Sequence, residues 1–281
     1  MLKNIAIILG LLLVLVVAVK GFDAFMNLNR PSVEGGSTEK FNPLLNEASD
    51  MSKSDNRTWW LNSGGKVFIE GNSIKTIQGD LPEDDSWRKK YSESNPTETD
   101  NGYHPQNIFR LVTRQKYKNF TQTTHFKVNG YILSDDVHRS ASNGVLFFHR
   151  YQNGDNLYYA GLRVDGNAVI KKKTKGVYYT MVYQPVFQEP KYDRENNPNL
   201  MPINTWVRIR SEIEDLDSKR VSVKLYMDKD GSGTWQLVVE AIDDGKSYGG
   251  KAILTEGYGG IRTDFMDVEF EDYKIEEIGG E

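Results

Sequence analysis

The sequence has 281 residues, of which 38% are apolar and 26% are charged, and its net charge is −4. This composition suits a soluble body with a sizeable core. The acidic balance provides no overall positive field, so a nucleic-acid partner is not expected and any anion site has to be a local patch. The absence of cysteine excludes disulfides, thiolate zinc sites and cysteine nucleophiles.

An uncharged, mostly apolar run lies near the N-terminus. It covers residues 4–19 and is flanked by a lysine on each side. A positive charge before such a run is typical of a signal peptide or a signal anchor. We predict one of these over residues 1–25, as a transmembrane or signal helix that leaves the rest of the chain outside the cytoplasm. The protein is then either anchored in the membrane by this single helix or secreted.

A polar stretch without sustained periodicity follows. Residues 26–56 are rich in Ser, Asn, Gly and Pro. This composition is typical of a flexible linker, and we place a short helical turn within it at residues 44–48. The remaining residues, 57–281, form the predicted folded domain.

This domain consists of short segments of alternating apolar and polar residues, rich in Val, Ile, Tyr, Phe and Thr and bounded by turn residues. The predicted strands are 66–71, 73–79, 109–114, 122–131, 144–151, 156–164, 167–173, 176–182, 205–214, 220–228, 234–242, 259–264 and 266–278. Residues 81–107 and 184–202 are predicted long loops, which are usually functional or folded on themselves. The fold class is therefore all-β, an antiparallel two-sheet jelly-roll sandwich.

The order of several motifs resembles a known family. Two phenylalanines on one strand precede a strand with Gly, Phe and Arg, a later strand opens with Trp, a hairpin ends in Tyr-x-Asp, and the chain closes on Gly-Ile-Arg-Thr-Asp and a final alternating strand. The matching residues are Phe120, Phe126, Gly144, Phe148, Arg150, Trp206, Tyr226, Asp228, Gly260, Ile261, Arg262, Thr263, Asp264, Val268, Phe270 and Tyr273. This pattern, over residues 110–278, resembles the concanavalin A-like lectin/glucanase superfamily, especially its laminin-G-like and sugar-degradation branches. The resemblance implies two antiparallel sheets, one of them concave, with sugars on the concave face or the loop rim. It also implies that the first strand of the domain, 66–71, pairs with the last strand, 266–278.

Tyrosines and cations recur on single faces of the predicted strands, because side chains alternate between faces. Tyr159 and Arg163 share a face of one strand, Lys171 and Lys173 a face of the next, opposite Lys172, and Arg208 and Arg210 a face of a third. The sequence leaves the register open. If these faces coincide, the rings and cations suit a groove for a polysaccharide, and an acidic one. The alternative is structural, with tyrosines in cross-strand pairs, lysines on an edge strand and Glu212 pairing with the arginines.

No complete catalytic motif is present. Residues 212–217 come nearest to the two-glutamate strand of a retaining glucanase, but they depart from it and run into a hairpin, which disfavours a hydrolase. A polysaccharide lyase needs a base and a cation that neutralises a uronate carboxylate. The candidates are His149, Arg150, Tyr159, Tyr178 and Tyr179. Whether the domain is an enzyme stays open, and a lyase is the favoured activity if it is one.

A metal site is not predicted. The four histidines lack zinc-site spacing. Asp228, Asp230 and Ser232 stand at alternate positions, as at the start of a calcium loop, but Val239 occupies the place of the glutamate that an EF-hand requires. We interpret this segment as a hairpin loop and predict no cofactor, with calcium as the alternative.

These observations combine into one functional hypothesis. We predict an extracytoplasmic, membrane-tethered β-sandwich that binds or acts on polysaccharide. The alternatives are a polysaccharide lyase or glycoside hydrolase on the same fold, and a non-catalytic adhesion or structural domain.

Overall fold

The computed structural model describes residues 43–188, 190–229 and 231–279. Strands in these residues are β1 (Leu44–Asn46), β2 (Trp59–Ser63), β3 (Lys66–Glu70), β4 (Ser73–Thr76), β5 (Arg110–Tyr117), β6 (Phe120–Tyr131), β7 (Gly144–Asn153), β8 (Asn156–Arg163), β9 (Asn167–Thr174), β10 (Val177–Pro185), β11 (Val207–Asp215), β12 (Val221–Asp228), β13 (Gln236–Asp243), β14 (Gly257–Thr263) and β15 (Met266–Glu277). The described residues also contain the helix α1 (Ser86–Ser94) and 3-10 turns at Met51–Lys53 and Pro105–Ile108.

The strands form two antiparallel sheets. The eight-stranded sheet has the order β1-β3-β4-β15-β6-β11-β12-β13, and the seven-stranded sheet has the order β10-β9-β8-β7-β14-β5-β2. The predicted all-β, two-sheet architecture is therefore confirmed. Every segment predicted as a strand contains one, whereas β1 and β2 were not expected.

The main core lies between the sheets and is built by strand alternation. Tyr158, Ala160 and Leu162 of β8 belong to the same buried cluster as Ile209 and Ile213 of β11. A second, smaller apolar cluster contains the alternate residues of the seven-stranded sheet and therefore lies on its outer face. The inner face of this sheet packs against the core, so its outer face is available to bind a ligand.

Two expectations about chain organisation are wrong. Residues 44–46 form strand β1, which pairs with β3, rather than a helical turn in a linker. The strand at 66–70 also does not pair with the last strand, because β4 lies between β3 and β15. The first strands and the last strand nevertheless share one sheet.

The two predicted long loops are folded on themselves. In the first, Asp85 caps α1 by accepting a hydrogen bond from Trp87 N at 2.8 Å. The buried Tyr91 of this helix hydrogen-bonds Glu47 and accepts from Gly64 N at 3.0 Å, which ties α1 to the sandwich. In the second, Arg194 O accepts a bond from the buried Arg139 at 2.6 Å. That contact connects this loop to the loop between β6 and β7.

Residues 1–42, which contain the predicted signal helix and most of the predicted linker, lie outside the described residues. Within the part of the chain that the structure describes, no helix combines the length and apolarity needed to cross a membrane.

Candidate functional site

A row of side chains crosses the outer face of the seven-stranded sheet. Phe148 of β7 lies opposite Tyr159 of β8, Tyr159 lies opposite Lys171 of β9, and Lys171 lies opposite Thr180 of β10. The rings of Phe148 and Tyr159 are 5.5 Å apart between centroids. Both rings are buried, so they form an apolar base beneath this face, with Lys171 at its border.

Two arginines are direct cross-strand neighbours on the same face. Arg110 of β5 is paired with Arg262 of β14. Like charges in this position destabilise a sheet unless something compensates them. Arg262 has a partner, because Asp264 accepts from its Nε at 2.9 Å and its Nη2 at 2.8 Å. Among the residues described, Arg110 has no acidic partner and its guanidinium donates no hydrogen bond.

These residues line two adjoining depressions. The first has a volume of about 380 Å³, and Lys171, Arg262 and Asp264 are among its walls. The second has a volume of about 260 Å³, and Tyr151, Asp155 and Lys173 are among its walls. Both depressions are lined by Arg110, Tyr159 and Tyr178. We refer to the two together as the groove, and to these three shared residues as its junction.

Lys171 is a buried cation that contacts no acidic side chain among the described residues, although the charge of Asp264 is near enough to favour its protonated form. Its side chain is 8% exposed, and in the part of the chain that is described it forms neither an ion pair nor a hydrogen bond. Burial, followed by the positive charges of Arg163 and Arg262, lowers the pKa of Lys171 to about 8. An ammonium group in this environment gains from any anion that enters the first depression.

Two tyrosine hydroxyls flank the Arg262 guanidinium. Its Nη1 lies 3.2 Å from the Tyr178 hydroxyl and 3.4 Å from the Tyr159 hydroxyl. Burial raises the pKa of Tyr178, but the charge and hydrogen bond of Arg262 together with the Tyr159 hydroxyl lower it to about 8. Burial raises the pKa of Tyr159. Tyr178 is therefore the tyrosine of this pair that ionises first.

The loop between β6 and β7 forms one wall of the first depression. His138 on this loop lies with its Nδ1 2.8 Å from Asp136 Oδ1 and 3.6 Å from Glu98 Oε1. Arg139, at 2% exposure, anchors the loop through Ser134 O and the opposing loop carbonyl of Arg194. The wall is thus held by buried hydrogen bonds, while His138 remains accessible.

The structure brings together three of the residues predicted to bind carbohydrate. Tyr159, Lys171 and Lys173 all line the groove. Arg163 has the predicted orientation but lies beyond the groove, where it donates to Asp165 at 2.7 Å and to Ala141 O at 3.0 Å. Its guanidinium is already satisfied by these partners.

The expectation that Arg208 and Arg210 share this face is wrong, because β11 belongs to the other sheet. Arg208 forms an ion pair with Asp228 at 3.0 Å, and Arg210 forms one with Glu212 at 2.7 Å. The sequence places these arginines correctly on the face away from the core. It does not reveal which sheet contains them.

Two of the catalytic candidates are core residues and cannot contact a substrate. His149 is fully buried, bonds Ser211 Oγ at 2.7 Å, and has its pKa lowered to about 3 by burial and the Arg150 charge. Arg150 is also fully buried and pairs with Asp215 at 2.7 Å. Tyr179 lies in register with Lys172, on the opposite face from Tyr178. Only Tyr159 and Tyr178 of the predicted candidates belong to the groove.

The structure describes part of the segment for which calcium binding is the alternative to a hairpin loop. The Asp228 carboxylate accepts from Arg208 Nη1 and from Gly233 N, both at 3.0 Å, and Ser232 is exposed. Asp230 lies outside the described residues. No cluster of three or more His, Asp or Glu side chains suited to a metal ion occurs among the residues that are described.

Sequence reasoning missed the arginines of the groove. In the sequence, Arg262 and Asp264 stand out only as positions of the family motif, and no motif includes Arg110. The sequence does contain a local signal for Arg262. It is separated from Asp264 by one residue, so the two side chains lie on the same face of the strand and can pair. No local signal could reveal that Arg110 lies next to Arg262.

No protein-family model and no curated protein matches the sequence. The similar solved structures include the carbohydrate-binding module CBM66 from Bacillus subtilis, which is 12% identical, with 78% of this chain and 95% of that chain covered and a TM-score of 0.47. They also include a β-glucanase from Bacillus licheniformis, at 11% identity, 80% and 94% coverage and a TM-score of 0.41. The Ca²⁺-bound exoplasmic/lumenal domain of VIP36 is matched at 12% identity, 85% and 91% coverage and a TM-score of 0.38.

These structures are sandwich folds of the concanavalin A-like lectin/glucanase type, which is the type that the sequence resembles. At such identities, and with TM-scores below 0.5, these matches carry no argument about what this chain does. What this chain binds therefore has to be argued from the groove itself.

Proposed function

We propose that the groove binds a polysaccharide chain and that an acidic sugar residue lies against Arg110 and Lys171. The observation that carries this proposal is positive charge without a partner. Arg110 lies opposite Arg262 on the adjacent strand. Lys171 is buried in the same groove and contacts no acidic side chain among the described residues. Arg262 has its counter-charge in Asp264, so a ligand anion is needed only for the other two.

The energetics favour a carboxylate or a sulfate. A hydrogen bond between a charged donor and an anion contributes ~1.5–3 kcal/mol. Arg110 and Lys171 also repel Arg262, and an anion between them would relieve this repulsion. The site therefore gains more from an acidic sugar than from a neutral one.

An exposed tyrosine ring of the groove suits the rest of the sugar. The rings of Phe148, Tyr159 and Tyr151 are buried beneath the groove, whereas the Tyr178 ring, 6.0 Å from that of Tyr159 between centroids, is 48% exposed. Aromatic rings pack against the apolar faces of sugar rings while their polar ends reach hydroxyl groups. The exposed Tyr178 ring next to the cations of the groove therefore offers the two contacts that a charged sugar can make.

Calorimetric titration of the purified full-length chain tests this proposal. The probes are polygalacturonate for carboxylates, dextran sulfate for sulfates and dextran as the neutral polymer. We expect binding of a charged polymer that weakens with added salt, and no binding of dextran. Equal binding of dextran would contradict the acidic specificity.

Arg110→Ala identifies the site. We expect at least about a tenfold loss of affinity, since each decade corresponds to ~1.4 kcal/mol. Arg220→Ala is the matched control, because Arg220 is 51% exposed and pairs with Asp217 in a hairpin. If Arg110→Ala binds as tightly as the wild type, the ligand does not lie in the groove.

Calcium is not needed in this proposal. The Asp228 carboxylate is engaged by Arg208 and Gly233 N, and the groove uses cations of the protein to hold the sugar. Chelation with EDTA should therefore leave the affinity for the charged polymer unchanged. A loss of binding that added calcium restores would restore the calcium alternative.

The cellular location of the protein is proposed from residues 1–25. We propose that they tether the sandwich to the outer side of a membrane, based on the uncharged run at residues 4–19. The full chain should sediment with membranes, and a variant lacking residues 1–25 should not. Recovery of most of the full chain as a shortened soluble product would indicate a cleaved signal peptide instead.

A further inference from the structure

The junction of the groove is where two sugar subsites would meet. Arg110, Tyr159 and Tyr178 line both depressions, so a polysaccharide that fills both would place a linking bond beside them. Binding alone does not require a group that can accept or donate a proton beside the linking bond. Such a group at the junction would therefore indicate that the bond is cleaved.

A phenol and an arginine stand together at this junction. The Tyr178 side chain is 48% exposed, so its hydroxyl can contact a ligand, and it lies 3.2 Å from Arg262 Nη1. Asp264 holds the opposite edge of the same guanidinium. A guanidinium fixed in this way stabilises the phenolate form of Tyr178, which is the form that accepts a proton.

Hydrolysis by a pair of carboxylates does not fit this junction. Asp264 has both oxygens bonded to Arg262 Nε, at 2.9 and 3.1 Å. Glu98 accepts from Asn95 Nδ2 at 2.7 Å and faces His138, and Asp155 in the second depression lies 3.9 Å from Lys173 Nζ. Glycoside hydrolysis requires one carboxyl group that donates a proton and a second across the sugar. A single base next to cations suits removal of a proton beside a carboxylate instead.

We propose that the chain cleaves an acidic polysaccharide by β-elimination at the groove junction, with the Tyr178 hydroxyl oxygen as the base, an inference that rests on the proposed binding function. The Tyr178 phenolate removes the proton on C5 of a uronate residue. The released electron pair forms the C4=C5 double bond, and the C4–O bond to the neighbouring sugar breaks. The leaving oxygen takes a proton from the Tyr178 hydroxyl or from water, so no co-reactant is required.

Arg110 and Lys171 have a defined role in this reaction. Removal of the C5 proton moves negative charge onto the neighbouring carboxylate, and cations placed there stabilise the transition state. Arg110 belongs to the junction, and Lys171 lies directly opposite Tyr159 on the next strand. The same unpaired charges that select an acidic sugar would therefore acidify its C5 proton. A sulfated sugar without a carboxylate would bind but would not react.

The test uses the purified full chain with polygalacturonate, alginate and hyaluronate. The ultraviolet absorbance of the unsaturated uronate reports elimination, and calorimetry reports binding of the same polymers. We expect the wild type to form this product on a polymer that it binds. Tyr178→Phe should lower kcat by at least about 100-fold, the usual contribution of a general base, and should change the Kd by less than about threefold. The control is Tyr183→Phe, a 60% exposed tyrosine on the same strand, with unchanged kcat.

The outcomes separate the two proposals. Binding of a polymer without unsaturated product overturns the elimination and leaves the binding function intact. Absence of binding to every polymer overturns both. Full activity of Tyr178→Phe overturns the role of Tyr178. Ionisation of Tyr178 should raise kcat as the pH approaches about 8, and loss of the Lys171 charge should lower it above that pH. Loss of the rising limb in Tyr178→Phe, with the falling limb retained, supports an ionising base, whereas a purely structural tyrosine would leave the shape of the pH profile unchanged.

Discussion

Lys172 Nζ lies 2.7 Å from Asp243 Oδ2, and both side chains are fully buried between the two sheets. The neighbouring residue Lys171 points to the opposite face of the same strand and has no acid partner among the described residues. Consecutive lysines thus have different roles, because one completes the core and the other lines the groove. This contrast can be tested with one substitution made at each position.

Lys172→Met should destabilise the fold. The substitution removes the ion pair with Asp243 and the bonds from Nζ to Gly250 O at 2.9 Å and Lys251 O at 2.8 Å. Loss of one partner leaves a buried charge without compensation, at a cost of ~3–5 kcal/mol. Urea unfolding at neutral pH should show this decrease in the free energy of unfolding. A variant as stable as the wild type would mean that the Tyr158 hydroxyl and Gly245 N satisfy Asp243 without the lysine.

Lys171→Met should have the opposite effects. It removes an uncompensated buried ammonium, so stability should be unchanged or higher. Affinity for the acidic polymer should decrease about 10- to 100-fold, as expected for a charge-assisted bond of ~1.5–3 kcal/mol. The matched control is Lys219→Met at an exposed position. Unchanged affinity with unchanged folding would remove Lys171 from the binding site.

The faces of individual strands were predictable, and their partners were not. Alternation alone separates Lys171 from Lys172 and Tyr158 from Tyr159, and the structure agrees in each case. Which strands are neighbours depends on long-range pairing that no local pattern encodes. Arg110 and Arg262 meet only because β5 and β14 are adjacent in the sheet.

The same reason explains the misplaced residues. Arg208 and Arg210 have the right composition and orientation for a binding face but belong to the eight-stranded sheet. His149 was a plausible base as a residue type, and only burial excludes it. β1 was missed because a three-residue strand has no periodicity that distinguishes it from a linker.

The buried His149 should make the protein sensitive to acid. Its pKa is lowered from 6.5 to about 3 in the folded state by burial and the Arg150 charge. Between these two pH values the unfolded chain binds a proton that the folded chain does not. The contribution of His149 to the free energy of unfolding is therefore fully present above pH 6.5 and decreases as the pH falls towards about 3. At pH 4.5 the loss from this group is about 2 to 3 kcal/mol.

His149→Gln measures this contribution. Urea unfolding at pH 7 and pH 4.5 gives the loss of stability for the wild type and for the variant. The variant should be less stable at pH 7, because the ring that bonds Ser211 is replaced, but should lose less on acidification. Equal losses in both proteins would show that His149 does not control the acid response.

The double variant Arg208→Ala/Arg210→Ala should leave groove binding within about twofold of the wild type. Both arginines lie on the other sheet, and their side chains are 34% and 35% exposed in their ion pairs. The Arg210–Glu212 pair is partly exposed and contributes ~0–1 kcal/mol. Asp228 is 1% exposed, so loss of Arg208 leaves a buried carboxylate with one bond fewer and costs a further ~1–3 kcal/mol. Titration with the acidic polymer and thermal unfolding check both parts. A large loss of affinity at equal folding would move the binding site to the eight-stranded sheet.

Binding of the acidic polymer should weaken as the pH rises through about 8. Lys171 has a pKa of about 8, so it is mainly charged at pH 7 and mainly neutral at pH 9. Tyr178 also has a pKa of about 8 and gains a negative charge over the same range. Both changes reduce the positive charge that faces the ligand, so both weaken its binding.

Calorimetry at pH 7 and pH 9 measures the effect. We expect the wild type to lose affinity at the higher pH. Lys171→Met and Tyr178→Phe should each lose less, because each lacks one of the two ionising groups. Loss of the entire pH dependence requires the double variant. An affinity that is constant from pH 7 to pH 9 in the wild type would show that the ligand does not contact the Lys171 and Tyr178 side of the groove.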